Sequence, residues 1–437
     1  MRIFNSLFYI ILNIYIYTSN YPVLKIAIFA NGVISRKIGG AQKHMREVIQ
    51  ILPEFDDILF YPEPQMFEAT NKIDLDFIKT LQESGIGVSS YFLEHYKDKP
   101  PINDIIQNYS NELKNCDLIY DMDFQYYLDN LKFGGEISLK LSEINNIPMG
   151  ACLQDLGDIT SYSSTTLKNI IKLSFMAPRI SGFIIIAGVY NLLNRKITMR
   201  KLTSNSNLSF ITVINNEYRK NIKINFKNTY VLNPSNAIDN RIKIYGGNAK
   251  INQIIFYARL IYQKGLFDVL YIHKKIIESN RIKLIISGKF QREFEKKEFF
   301  GIIKKLGLEN FVEYKGVLSD DELYIELSRS KLLLYPSHSD SFSISILQSL
   351  FLHVPVVAYD IPGLSLYKSF KSVSLVKEFD LKSMAEESLI FLNTKENFFD
   401  QPELLNFIER HLSWKYVAES HSAFIHNNAE ISSKSKF

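Results

Sequence analysis

Short apolar runs alternate with helix-spaced segments along most of this chain. Leu24 to Ala30 is a continuous apolar run of strand length, and a polar loop separates it from a helical pattern over Gln42 to Leu52. The same reading predicts strands at Ile58 to Tyr61, Asp117 to Tyr120, Pro148 to Cys152, Phe183 to Ala187 and Tyr230 to Leu232, with helical patterns between several of them. The alternation then restarts. Strands are predicted at Ile251 to Tyr257, Ile282 to Ser287, Phe311 to Tyr314, Lys331 to Tyr335 and Val354 to Tyr359. Helices are predicted over Lys264 to Glu278, Gln291 to Leu306, Asp320 to Ser328 and after Ser341. Strands alternating with helices imply a parallel sheet covered on both faces. The expectation is therefore α/β, with two Rossmann-like doubly wound domains over 24–240 and 250–410. The polar stretch Asp239 to Lys250, with Gly246-Gly247, is the predicted hinge.

The ends read differently. Ile3 to Tyr17 is apolar and aromatic but interrupted by Asn5 and Asn13, and is shorter than the roughly 20 residues a membrane-crossing helix needs. No small-residue cleavage pattern stands near Thr18-Ser19-Asn20. Residues 1–23 are read as a hydrophobic extension outside the fold or a short anchor, and 427–437 as a polar tail.

Composition narrows the function. The 437 residues are 46% hydrophobic and 22% charged, enough to give each of two domains an ordinary core. A net charge of +5 without a basic stripe interleaved with aromatics argues against a nucleic-acid partner. Cys116 and Cys152 form no Cys-x-x-Cys or Cys/His cluster, so a structural zinc site is not expected, and two buried free thiols fit a reducing compartment. His44, His95, His273 and His353 lack metal-ligand spacing. Asp121-Met122-Asp123 supplies two carboxylates, too few for a metal site, and reads as an acceptor-side loop or solvated acids.

Four segments carry candidate chemistry. The most informative is Pro336-Ser337-His338-Ser339-Asp340-Ser341-Phe342-Ser343-Ile344-Ser345-Ile346-Leu347-Gln348. A strand precedes it, and Phe342, Ile346, Leu347 and Leu350 then repeat at helical spacing. In an α/β protein that puts a polar loop at the carboxyl edge of the sheet, with helix N–H groups facing an anion. Tyr257-Ala258-Arg259-Leu260 followed by Lys264-Gly265 brings two cations to the same edge, suited to a diphosphate. Gly39-Gly40-Ala41, between the first strand and first helix, allows close backbone approach to a ligand, or is a plain flexible turn. Ile147 to Asp155 ends a strand on Gln154 and Asp155, which can hydrogen-bond a sugar or, for Asp155, cap a turn.

The order and spacing of these segments resemble the retaining glycosyltransferases of family 4, the glycosyl transferases group 1, whose architecture is GT-B: two Rossmann-like domains facing a central cleft. That family's loop reads roughly Pro-Ser-x-x-Glu-Gly-Phe-Gly, with a second Glu eight positions after the first; here Asp340, Ser341, Ser343 and Gln348 stand at the four altered places. Gly-Arg-Leu, a spacer and Lys-Gly become Ala258-Arg259-Leu260 and Lys264-Gly265, and Gly-Gly-Ala-Glu becomes Gly39-Gly40-Ala41-Gln42. Gln154 aligns with the family's His. Asn233 to Asp239 resembles the turn before the crossover, and Ser413-Trp414 a pair in a terminal helix that crosses back, over 411–426, to the first domain.

The resemblance implies transfer of a hexose from a UDP- or GDP-linked sugar to a glycan or lipid-linked acceptor, with retention and without metal or other cofactor. It makes Arg259, Lys264 and Asp340 catalytic. It assigns Gly39, Gly40, Ser341, Phe342, Ser343 and Gln348 to the donor, and Gln154 and Asp155 to acceptor or sugar. It also implies a cytoplasmic enzyme of glycan biosynthesis, at the inner face of the membrane when the acceptor is a lipid. Arg195-Lys196 and Arg200-Lys201 are candidate contacts to anionic lipid. Two rivals stay open: a binding partner that has lost catalysis, prompted by Gln154, Gln348 and the Ser-for-Gly changes, and a nucleotide-sugar epimerase on the same architecture.

Overall fold

The computed structural model describes residues 22–434 except 31, 37–38, 69–71, 125–134, 155–170, 173, 222–225 and 395. Thus Asp155, most of the N-terminal extension and the last residues of the tail lie outside the described residues.

The first sheet holds β1 (Lys25–Ala30), β2 (Asp57–Pro62), β3 (Gly87–Val88), β4 (Leu118–Asp121), β5 (Met149–Leu153), β6 (Leu208–Val213) and β7 (Thr229–Val231). Their spatial order is β3-β2-β1-β4-β5-β6-β7, and every pairing is parallel. The second holds β8 (Gln253–Tyr257), β9 (Lys283–Ser287), β10 (Val312–Tyr314), β11 (Leu333–Tyr335), β12 (Val356–Tyr359) and β13 (Val373–Val376). Its order, β10-β9-β8-β11-β12-β13, repeats the logic of the first. In each sheet the chain works outward from a central strand and returns to that strand's other side. The crevice between β1 and β4, and that between β8 and β11, is where such sheets hold ligands, beyond the strands' carboxyl ends. Helices cover both faces, so the central strands are apolar throughout: Ile26 to Phe29 and Ile254 to Phe256 are fully buried.

Phe183 to Ala187 is not a strand. It lies in the helix Ser181–Thr203, which follows the Pro178–Ile180 turn. A five-residue apolar run does not distinguish a strand from a helix segment, and only its length and the proline before it decide. The strand actually paired between β5 and β7 is β6, whose Ser209 and Thr212 interrupt its apolar pattern. The predicted hinge carries a 3-10 turn, Asn240–Tyr245, started by the Asp239 carboxylate accepting from Arg241 N–H at 2.9 Å.

The last helix, Trp414–Lys434, leaves the second domain and packs on helix Gly40–Ile51 and β6 of the first. A buried polar chain fixes it there. His44 Nδ1 lies 3.1 Å from Asn236 Oδ1, His44 Nε2 is 3.1 Å from His421 Nε2, and His421 Nδ1 is 2.7 Å from the Tyr120 hydroxyl. Tyr120 in turn meets Thr212 Oγ1 at 3.0 Å. One proton arrangement satisfies all these links with both rings neutral. His44 donates to Asn236, His421 donates to His44, and Tyr120 donates to His421. Burial holds the His44 pKa down to about 4, and burial, with the neighbouring His44, holds that of His421 well below the ordinary imidazole value. Cys116 and Cys152 are buried and free. Among the described residues no helix is long and apolar enough to cross a membrane.

Candidate functional site

The site forms where the carboxyl edges of the two sheets face each other. On the second domain, β8 leads through Arg259 into a 3-10 turn, Tyr262–Lys264, and a left-handed Gly265 at φ 77°. The next helix, Asp268–Ser279, starts later than its apolar pattern suggests, so Lys264 sits on the turn before it. The glycine is required. A Cβ at Gly265 would stand 2.0 Å from the Pro336 carbonyl oxygen, so the turn and the loop after β11 touch backbone to backbone.

That loop is organised around Asp340. Its Oδ1 accepts the N–H groups of Ser341, Phe342 and Ser343 at 2.9, 3.3 and 2.9 Å. Its Oδ2 accepts Lys264 Nζ at 3.1 Å and the Tyr335 hydroxyl at 2.6 Å. Burial alone would raise its pKa, but the Lys264 charge and these hydrogen bonds hold it below the usual carboxylate range. Both oxygens are thus engaged within the loop, and the Asp340 and Lys264 side chains are only 13% and 12% exposed. Lys264 also donates to the Ser339 carbonyl. Arg259 differs. It is exposed, and its guanidinium makes no hydrogen bond or ion pair among the described residues.

The loop ends at Ser343, a left-handed residue at φ 63°, whose hydroxyl accepts Ile346 N–H at 3.3 Å and so caps helix Ile344–Phe351. The amides of Ile344 and Ser345 at its first turn have no acceptor among the described residues. Phe342 is buried against Tyr367 and stacked on His411, which anchors the loop rather than presenting a ring to the cleft. Gln348 is buried as well. Its Oε1 accepts from the Tyr257 hydroxyl at 3.0 Å, and its Nε2 donates to the Tyr324 hydroxyl at 3.4 Å.

A further ion cluster holds the loop from below. His338 lies 3.1 Å from Asp268 through Nε2 and 2.8 Å from Glu378 through Nδ1. The Tyr359 hydroxyl donates to the same Asp268 oxygen at 2.7 Å. Burial works against the imidazolium, but Asp268 and then Glu378 outweigh it and push the pKa up to about 10. The sequence places His338 inside the loop and gives no sign of these partners, which come from distant elements.

The first domain supplies the opposite wall. Gly39 caps helix Gly40–Ile51, its N–H held by Gln42 Oε1 at 3.1 Å. A Cβ at Gly40 would lie 3.9 Å from Ile344 Cδ1, so the glycine loop directly faces the start of the loop helix. Gln154 is turned inward, donating to the Met122 carbonyl at 3.0 Å. Asp121 and Asp123 are not solvated acids: both are buried. Asp121 accepts from the Ser138 hydroxyl at 2.7 Å, and burial pushes its carboxyl up. The described residues contain no group of three or more acidic, His or Cys side chains that could hold a metal ion. Lys264, Asp340, Ser341, Phe342 and Ser343 therefore meet past the carboxyl ends of β8 and β11, and the Gly39-Gly40 loop of the first domain faces them; Arg259 follows β8 at the same edge, and Gln348 is turned into the core toward Tyr257 and Tyr324. Gln154 lies deeper in the first domain.

Residues 238–412 match the family model for glycosyl transferases group 1. Over this stretch the chain is similar to the glycosyl transferases group 1. Three solved structures share the whole two-domain arrangement. Anabaena HepE, in complex with UDP and glucose, is 15% identical over 92% of this chain and 99% of its own, with a TM-score of 0.62. A glycosyltransferase from Rickettsia africae is 12% identical over 94% and 99%, at 0.63. Sucrose-phosphate synthase from Thermosynechococcus elongatus is 11% identical over 92% and 98%, at 0.64. The fold is GT-B. An uncharacterized glycosyltransferase of Methanocaldococcus jannaschii is 28% identical over 111 residues, a match spanning 25% of this chain and 28% of that relative.

Proposed function

We propose that this protein transfers a sugar from a nucleoside-diphosphate donor to a glycan or lipid-linked acceptor, with retention at the anomeric carbon. One observation carries the reading. Among the described residues the helix amides of Ile344 and Ser345 have no acceptor, the glycine loop of the first domain faces the start of that helix, and the exposed Arg259 guanidinium, just past the carboxyl end of β8, has no hydrogen-bond or ion-pair partner. Such a surface suits a diphosphate leaving group. In the reaction the sugar C1–O bond to the phosphate breaks and its electron pair stays on the diphosphate. The acceptor oxygen bonds to C1, and its proton passes to the leaving phosphate. Arg259 offsets the charge that grows there. Lys264 and Asp340 act one step back: they hold the loop in shape, and the third N–H of Lys264 remains for the ligand. No metal or cofactor is invoked. That HepE was crystallised with UDP and glucose supports a UDP-linked donor. Initial rates with a panel of nucleotide sugars, with Arg259→Ala as control, test the reading.

A membrane-linked acceptor has support of its own. Helix Ser181–Thr203 contains no acidic residue and four basic ones, Arg195, Lys196, Arg200 and Lys201. It exposes Ile185, Ile186 and Val189, and Phe175 just before it is 76% exposed. The exposed Ile185, Ile186 and Val189, with the exposed Arg200 and Lys201 farther along the same helix, favour an anionic lipid surface. Sedimentation with anionic against neutral vesicles checks this, with Ile185 and Ile186 both changed to Ser as control.

A second reading, a partner subunit without catalysis, is favoured by the inward turn of Gln154 and the full engagement of Asp340. Nucleotide-sugar binding without turnover across many acceptors would establish it.

A further inference from the structure

Asn215 stands just beyond β6, at the carboxyl edge of the first sheet, and is 7% exposed. Its side-chain amide reaches across the cleft. Nδ2 donates to the Ser341 carbonyl and, at 3.3 Å, to the Gly363 carbonyl. Both acceptors belong to the second domain. Ser341 follows Asp340 in the loop that also carries the Lys264 pair. Gly363 lies in the turn Pro362–Tyr367 and is pressed against the same loop, since a Cβ there would stand 1.7 Å from the Asp340 carbonyl oxygen. The helix Asn216–Asn221 begins at the next residue and packs on that turn.

We propose that Asn215 is a positioning residue that couples closure of the two domains to the shape of the donor loop. The inference rests on the donor reading given above. With the cleft shut, one amide group supplies two N–H donors to two carbonyls that would otherwise face solvent or a gap. With the cleft open, both carbonyls return to water and the loop loses a restraint beside Asp340. Asparagine suits the task because its NH₂ carries two donors; aspartate has none and a serine hydroxyl has one. The Lys43–Asp320 link across the cleft differs in kind. Lys43 and Asp320 meet at 3.4 Å, but at 26% and 50% side-chain exposure they form a screened surface pair. Asn215 is buried and acts on the loop backbone itself, so its loss makes the closed cleft leave two carbonyls unpaired and favours the open one, in which water pairs them.

The test compares wild type, Asn215→Ala and Asn215→Asp. Initial rates are taken against UDP-sugar concentration, melting temperature is recorded, and small-angle scattering is measured with and without UDP. Asn215→Ala is expected to lower kcat/KM for the donor roughly tenfold, the scale of a lost hydrogen bond or two. Asn215→Asp has the same shape but sets a carboxylate against two carbonyls, and is expected to lose about 100-fold. Both should melt close to wild type. UDP should contract wild type and leave Asn215→Asp extended. The proposal is overturned if Asn215→Ala stays within about twofold of wild type, if Asn215→Asp is no worse than Ala, or if UDP contracts all three alike. Wild type that binds no nucleotide sugar defeats the donor reading and this proposal together. Wild type that transfers sugar beside indifferent Asn215 variants defeats the coupling alone.

Discussion

The Lys264 ammonium sits 3.1 Å from the Asp340 carboxylate, joining the turn after β8 to the loop after β11 across the switch point of the second sheet. Between two largely buried groups this pair is structural, whereas the exposed Arg259 guanidinium, on the same turn segment after β8, has no protein partner among the described residues. The two cations should therefore fail differently. Arg259→Ala is expected to cut kcat by about 10²–10³, as for loss of one preorganised donor to a developing anion, and to leave stability within about 0.5 kcal/mol. Lys264→Ala strands a buried carboxylate and should cost about 3 kcal/mol of stability as well as activity. Rates and chemical denaturation on both variants check the contrast. Equal stability losses would contradict it.

Gly363 and Gly265 are places where the loop admits no side chain. Cβ atoms there would lie 1.7 Å from the Asp340 carbonyl and 2.0 Å from the Pro336 carbonyl, and both neighbours are backbone. Gly363→Ala and Gly265→Ala should each reduce transfer at least about tenfold by displacing the loop, with Gly265→Ala also strained by its left-handed backbone. Rate measurements beside far-ultraviolet circular dichroism separate local displacement from unfolding. Wild-type rates in either would refute the contact.

Much of this site is legible in the chain because its parts are local. The Arg259 to Gly265 and Pro336 to Gln348 segments each follow an apolar strand, and the doubly wound order brings both to one edge. What the chain conceals is pairing at long range. The family pattern makes Asp340 catalytic. It is one methylene shorter than the Glu of the family pattern, and it serves here as the cap of its own loop. His338 depends on Asp268 and Glu378, and Asn215 on a carbonyl 126 residues away, contacts that no spacing announces. Phe183 to Ala187 misleads for a different reason, since a short apolar run carries no period.

The His44–His421 link predicts an acid limb. Both rings are neutral in the fold, with His44 lowered to about 4 and His421 also lowered well below the unfolded value near 6.5. The unfolded chain therefore takes up protons first, and stability falls as pH drops from about 6.5 towards 4. Protonating His44 also sets two N–H groups against each other at 3.1 Å. His421→Phe should flatten this limb, as read from denaturation midpoints at pH 7, 6, 5 and 4. An unchanged slope would contradict the arrangement.

His338 acts with the opposite sign. Its folded pKa is raised to about 10, so its contribution is complete below the unfolded value near 6.5 and is lost as pH rises through 10. His338→Asn should lower stability at pH 7 and remove part of the decline between pH 7 and 10. If the variant and wild type lose stability in parallel over that range, the buried imidazolium is not charged.

The direct test of the anion-binding cleft is isothermal titration of UDP into wild type and Arg259→Ala at one ionic strength. Saturable binding to wild type, weakened at least about tenfold by the substitution, is the predicted result. Absence of binding to wild type, or equal affinity in both proteins, would contradict the assignment.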